Sequence, residues 1–166
     1  MPMTYGDMDA GDSLYQGQIA NQAQAKIRSA VNEEANVVPV GYAAVQGAAD
    51  DGALLPVDAN SVLIGVFVSP DDIERRDGFS VDVNGDFGIP VGYRAGIVHE
   101  GVVGVKVAET VSPIDDVFWV HTTNGASIKG MFRTDADTGR AVQASNARFL
   151  KSGAAGSVVP LAIDLP

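Results

Sequence analysis

The residues of this 166-residue chain best suited to acid–base or metal chemistry are its two histidines, His99 and His121. With Glu100, Asp115 or Asp116 they supply the donor types that bind a divalent ion, yet no His-Glu-x-x-His or comparable spacing joins them. A histidine in or beside a strand is more commonly a hydrogen-bonded or surface residue. The chain contains no cysteine, which excludes disulfides, thiolate ligands and thiol redox chemistry. Asp82-x-Asn84-Gly85-Asp86 resembles the start of a calcium loop, but its glycine is out of register and its twelfth position is Tyr93 instead of Glu. A hairpin turn accounts for it, and Asp135-x-Asp137-x-Gly139, too short of ligands, is likewise a turn.

Acyl transfer would need Ser112 or Ser127 as nucleophile, and neither lies in a Gly-x-Ser-x-Gly elbow. Gly101-Val-Val-Gly104 leads into a strand, so it lacks the helix N-terminus that cradles phosphate. The carboxylate pairs Asp71-Asp72 and Asp115-Asp116 sit in breakers, where aspartate caps turns. The expectation is therefore a protein that is not an enzyme and binds no cofactor or metal. A metal-dependent hydrolase built on His99 and His121 is the enzymatic rival.

The elements around these residues read as strands. Val103, Val105 and Val107 alternate with Gly104 and Lys106, the period of a half-buried strand. After the breaker Ser112–Asp116 comes Val117-Phe118-Trp119-Val120, apolar throughout and too short for a helix. Asn124-Gly125 then signals a hairpin into Ile128, Gly130 and Phe132, so Gly96–Phe132 is expected to fold as a meander. Val62–Val68 is a second buried strand, ended by Ser69-Pro70. Val37–Val45, interrupted by Pro39 and Gly41, suggests an edge or a bend, and Pro160 suggests that Val159–Leu165 closes the sheet at an edge. Short strands with turn signals about every ten residues predict an all-β fold: a compact sandwich or barrel-like body of short antiparallel strands.

One domain is the expectation for this length, with 46% apolar residues to bury. No apolar run approaches the roughly 20 residues that span a bilayer, and no signal-peptide pattern opens the chain, so a soluble protein without a membrane partner is expected. The net charge of −10 excludes a broad phosphate-binding surface, and with it nucleic acid. Residues 1–93 hold 14 acidic and 4 basic side chains, whereas 94–166 hold 7 of each. Residues 1–25 are Gly-, Asp- and Gln-rich with isolated Tyr5, Leu14, Tyr15 and Ile19, too little to form a core. They read as a tail or as an extended arm that orders against a neighbour, leaving 26–166 as a single β-rich domain. From Ile19 to Ala35, Ile19, Ala23, Ile27, Ala30 and Val31 fit helical spacing, while Ile27, Ser29 and Val31 fit a strand.

Laid out in order, these segments resemble the phage structural cement family, small proteins that decorate and reinforce tailed-phage capsids. The resemblance rests on Lys26–Ala35, Val38–Gly47, Leu54-Leu55-Pro56, Tyr93-Arg94, Gly101–Val107, Val111, Asp115–Val120, Gly130-Met131-Phe132 and Ala147–Leu150. It implies an all-β body with an extended N-terminal segment, which favours the strand at Ile27–Val31. It further implies a decoration protein on the outer surface of the phage head. Such a protein bridges major capsid protein subunits against internal DNA pressure, as a homotrimer or alternatively a homodimer. Tyr5, Leu14, Tyr15, Ile19 and Ile27 are the expected capsid or subunit contacts. The alternative reading is a virion-borne carbohydrate- or receptor-binding β-domain, which would want an exposed aromatic platform.

Overall fold

The computed structural model describes residues 14–68 and 80–166. A 3-10 turn at Gln22–Gln24 precedes twelve described strands: β1 (Lys26–Asn32), β2 (Val38–Pro39), β3 (Ala43–Gln46), β4 (Gly52–Leu54), β5 (Leu63–Val68), β6 (Gly88–Ile89), β7 (Arg94–Lys106), β8 (Phe118–Val120), β9 (Phe132–Arg133), β10 (Ala141–Gln143), β11 (Ala147–Phe149) and β12 (Val158–Asp164). Ile27–Val31 is strand, as the family resemblance favoured, and no α-helix occurs among the described residues.

Strands β1, β4, β3, β5 and β7 hydrogen-bond in that order, and β7 pairs back onto β1, closing a five-stranded barrel. Only β1–β4 is a parallel pair within it. So small a ring has space for few large side chains. Ala30, Ala44, Ala53 and Ala95 accordingly accompany Phe67 and Ile97 in a fully buried cluster. Closure also leaves these strands without open edges, which protects them from pairing with other chains.

The 13 residues of β7 serve two neighbourhoods. Arg94–Glu100 pairs with β1, and Glu100–Lys106 pairs with β12, the exchange falling at Glu100. Gly101 follows with φ 136, a conformation that side chains rarely tolerate. Val103, Val105 and Val107 point into a second cluster with Val66, Val98, Trp119, Phe132, Phe149, Leu161 and Ile163. That cluster joins the barrel wall to the small sheet β10–β8–β9.

Two expectations are corrected. The meander from Gly96 to Phe132 does not form: β7 pairs with β1, β5 and β12, whereas β8 pairs with β9 and β10. Local alternation defined the strands but not their partners: the second half of β7 takes the C-terminal β12 as its ladder neighbour, while Trp119 of β8 and Phe132 of β9 share the core cluster of its valines. Only Phe132–Arg133 is strand in the second half, because a turn bonds Met131 N–H to Ile128 O. The turn itself is present, with Asn124 and Ser127 exchanging both backbone bonds across Gly125, φ 59.

Nor is β12 an edge: it lies between β7 and β11. Pro160 accepts from Leu150 N–H, so its carbonyl, and the nitrogen that points the same way, face β11 at that strand's end. The missing N–H therefore costs the β7 ladder nothing.

Gly65 separates two kinds of glycine constraint. Its φ is 147, and a Cβ there would collide with the Val98 carbonyl oxygen, whereas Gly85, φ 83, has open space around it. Both alanine variants carry backbone strain of about 1–3 kcal/mol, and Gly65→Ala adds the collision between β5 and β7. Urea denaturation is expected to show Gly65→Ala clearly less stable than Gly85→Ala; equal loss would mean that the β5–β7 approach imposes nothing.

Candidate functional site

Most of the chemistry-bearing residues, the two histidines excepted, are engaged by the fold. His121 is 9% exposed, its Nδ1 lies 2.9 Å from Thr122 Oγ1, and its ring meets Trp119 edge-on at 6.2 Å. His121 Nε2 and His99 Nδ1 are buried without a hydrogen-bond partner. His99 lies mid-strand in β7 and His121 directly follows β8 in another sheet, and no group of three or more His, Asp or Glu among the described residues is arranged to hold a metal ion. Ser127 Oγ accepts from Arg133, and the Asp115 carboxylate accepts from Ser112 N–H. Asp82 Oδ1 accepts from the N–H groups of Asn84 and Asp86, as a turn aspartate does. Trp119, at 2% exposure, is core and offers no carbohydrate platform.

Charged groups are instead used as internal pins. Arg133, 9% exposed in its side chain, pairs with Glu109, Asp135 and Asp137 and so ties the β7–β8 and β9–β10 connections to β9. Glu33 accepts from the N–H groups of Ala48 and Ala49, filling the turn between Gly47 and Gly52, where any side chain would strike its carboxylate. Lys106 meets Asp86 at 3.0 Å, and Tyr42 donates to the other oxygen of that carboxylate at 3.2 Å. Tyr42 is 1% exposed, and burial, reinforced by the Asp86 charge and hydrogen bond, raises its phenol far above the ordinary range. At the surface, the hydrogen bond and charge of Glu100 raise the Lys26 ammonium.

The described part of the arm is held on the body by backbone and glutamine hydrogen bonds. Leu14–Ala20 lies along β7 on the flank opposite β12, because both pair with the same residues. Gly17 N–H donates to Gly104 O (2.8 Å), Gly104 N–H to Gln18 O (2.9 Å) and Ala20 N–H to Val102 O (2.9 Å). A tight turn precedes this: Gln18 N–H donates to Tyr15 O, and Tyr15 N–H returns to Gln18 Oε1 at 2.9 Å. Gln16 Nε2 fastens the turn to Val40 O at 2.8 Å. Gly17, φ 74, sits against Val40, and Gly104 lacks the Cβ that would collide with the Tyr15 carbonyl.

Of the expected contacts, Tyr5 lies outside the described residues. Leu14 is half-buried over Gly104, and Ile19 bridges Val103 and packs on the second core cluster. Tyr15 is 81% exposed and Ile27, on β1, 48%. Leu14 and Ile19 therefore fix the arm to its own body, while Tyr15 and Ile27 face outward. The clamps Gln16, Gln18 and Gly104 were not anticipated; the sequence signal was a glycine inside a strand pattern, a mark of close backbone approach.

With this geometry in hand, the relationships of the chain are informative. A model of the family described as "Structural cement protein (E217 gp24/Pam3 gp6)" matches residues 2–164. The chain belongs to that family of phage structural cement proteins. Its fold is also that of a chain from "The capsid of Myoviridae Phage XM1", with TM-score 0.67, 15% identity, and coverage of 99% of this chain and 98% of the other. No curated protein matches the sequence. The role shared across the family is structural and capsid-associated.

Two outcomes are expected. Gly104→Val should displace Leu14–Ile19 from β7, seen as faster amide exchange at Gly17 and Ala20 with the barrel amides still protected. Unchanged exchange at those amides would refute the clamp. The neutral Tyr42 phenol is the stabilised form, so its contribution is complete below about pH 10, the unfolded value, and falls as pH rises above it. Tyr42→Phe should cost about 1 kcal/mol at neutral pH and flatten the alkaline limb of stability above about pH 10.

Proposed function

We propose that this chain is a non-enzymatic cement subunit that sits on the outside of a phage head and bridges major capsid protein subunits. The supporting observation is a cement-family chain whose arm is clamped on β7 at Leu14–Ala20 and holds Tyr15 outward. Packed DNA repels itself and pushes the shell outward, and a bridging subunit opposes that with a modest interface repeated over many copies. In this reading residues 1–13, with Tyr15 and Ile27, contact major capsid protein or a neighbouring cement subunit. The subunit is a homotrimer on local threefold axes, where closed symmetry matches that of the shell; a homodimer on twofold axes is the alternative.

The test is to mix purified protein with undecorated expanded capsids, pellet, and count bound copies. Saturation at a fixed, symmetry-matched stoichiometry is expected, with removal of residues 1–13 weakening binding by about tenfold or more. Absence of binding by the intact chain would defeat the reading, and undiminished binding by the truncated chain would defeat the role of the arm.

A further inference from the structure

Acidic residues are abundant in this chain but not evenly placed. Residues 13–25 carry no charge at all, and residues 138–163 contain no carboxylate while carrying Arg140, Arg148 and Lys151. The fold brings these two stretches together. Leu14 Cβ and Val158 Cγ1 lie 3.2 Å and 3.1 Å from where a Cβ on Gly104 would stand, so arm and β12 meet over that residue. Pro160, opposite Gly104 in the ladder, is buried there. Strand β11 extends the surface, with Arg148 opposite Ala162. A shallow groove of about 460 Å³ runs beside it, lined by Ser145, Asn146, Arg148, Ala162 and one carboxylate, Asp164. From strand spacing and rise, Arg148 stands about 12 Å from the arm turn.

Two side chains on this surface have the character of interface anchors. Tyr15 is 81% exposed on a turn that backbone and glutamine bonds already hold, so little freedom is lost when a partner covers it. Arg148 is exposed, and its side chain makes no hydrogen bond or ion pair with any described residue. Tyrosine and arginine are the types that most often dominate interface energies.

We infer that the surface formed by the arm turn, β12 and β11 receives a second copy of this chain, docked through its acidic first half. The inference deepens the cement reading, since it states how neighbouring cement subunits meet. Two chains of charge −10 repel each other over most orientations. The carboxylate-poor surface is where an acidic half, with 7 acidic against 2 basic side chains among its described residues, meets attraction instead. Such a contact joins unlike surfaces, head to tail, and closes into a ring when its rotation permits.

The experiment is sedimentation of the full chain over a concentration series in about 50 mM and about 500 mM salt, where screening differs severalfold. Self-association is expected, weaker in high salt, and weakened roughly tenfold by Tyr15→Ala and by Arg148→Glu. Both positions are exposed, so melting temperatures should stay at the wild-type value and serve as the folding control. A chain that is monomeric throughout, or an oligomer indifferent to both substitutions, overturns the inference. So does a variant that self-associates normally but no longer pellets with capsids, which would give the surface to the capsid. An oligomer sensitive to both substitutions, formed by a chain that never pellets with capsids, would uphold this interface while removing the cement reading.

Discussion

The structure depends on the backbone hydrogen bonding of one strand. β7 closes the barrel through β1 and β5, carries β12 along its second half, and takes the arm on its remaining flank. With no cysteine in the chain, nothing covalent shares this task. A strand paired on both sides along its length satisfies its own polar groups, and its alternating side chains enter two cores at once. Ile97 reaches the barrel cluster and Val98 the outer one, so the two cores cannot loosen independently.

The internal ion pairs follow from that arrangement. Short strands leave long connections, and each connection needs a point of attachment to the sheets. Arg133, Lys106 and Glu33 supply these by binding carboxylates or turn amides within the molecule. Asp82, Asp115 and Arg133 are thereby engaged within their own fold.

Much of the body was legible in the sequence. The valines of β7, the apolar run at Trp119, the buried strand at Phe67 and the Asn-Gly turns all follow period and turn chemistry, which are local properties. Partner choice was not legible, because Val103 reads the same whether it faces β8 or β12. The contribution of Pro160 was misjudged for a similar reason: one lost donor matters only on the side where a neighbour needs it. In the arm, Leu14 and Ile19 pack inward on the body while Tyr15 is exposed, a division the sequence did not show. That division is set by Gly104, eighty-odd residues away, and only the fold places it beneath Tyr15.

The clamp at Gly17, Gln18 and Ala20 also has a mechanical meaning. Its three bonds to Val102 and Gly104 lie side by side along β7. A pull on the arm along the strand axis loads them together, in shear, and passes the load into the longest strand of the molecule. The same pull directed away from the sheet would open them one at a time. The arm is thus stiff in the plane of the sheet and weak across it: a load along the strand axis would be held, and one across it shed.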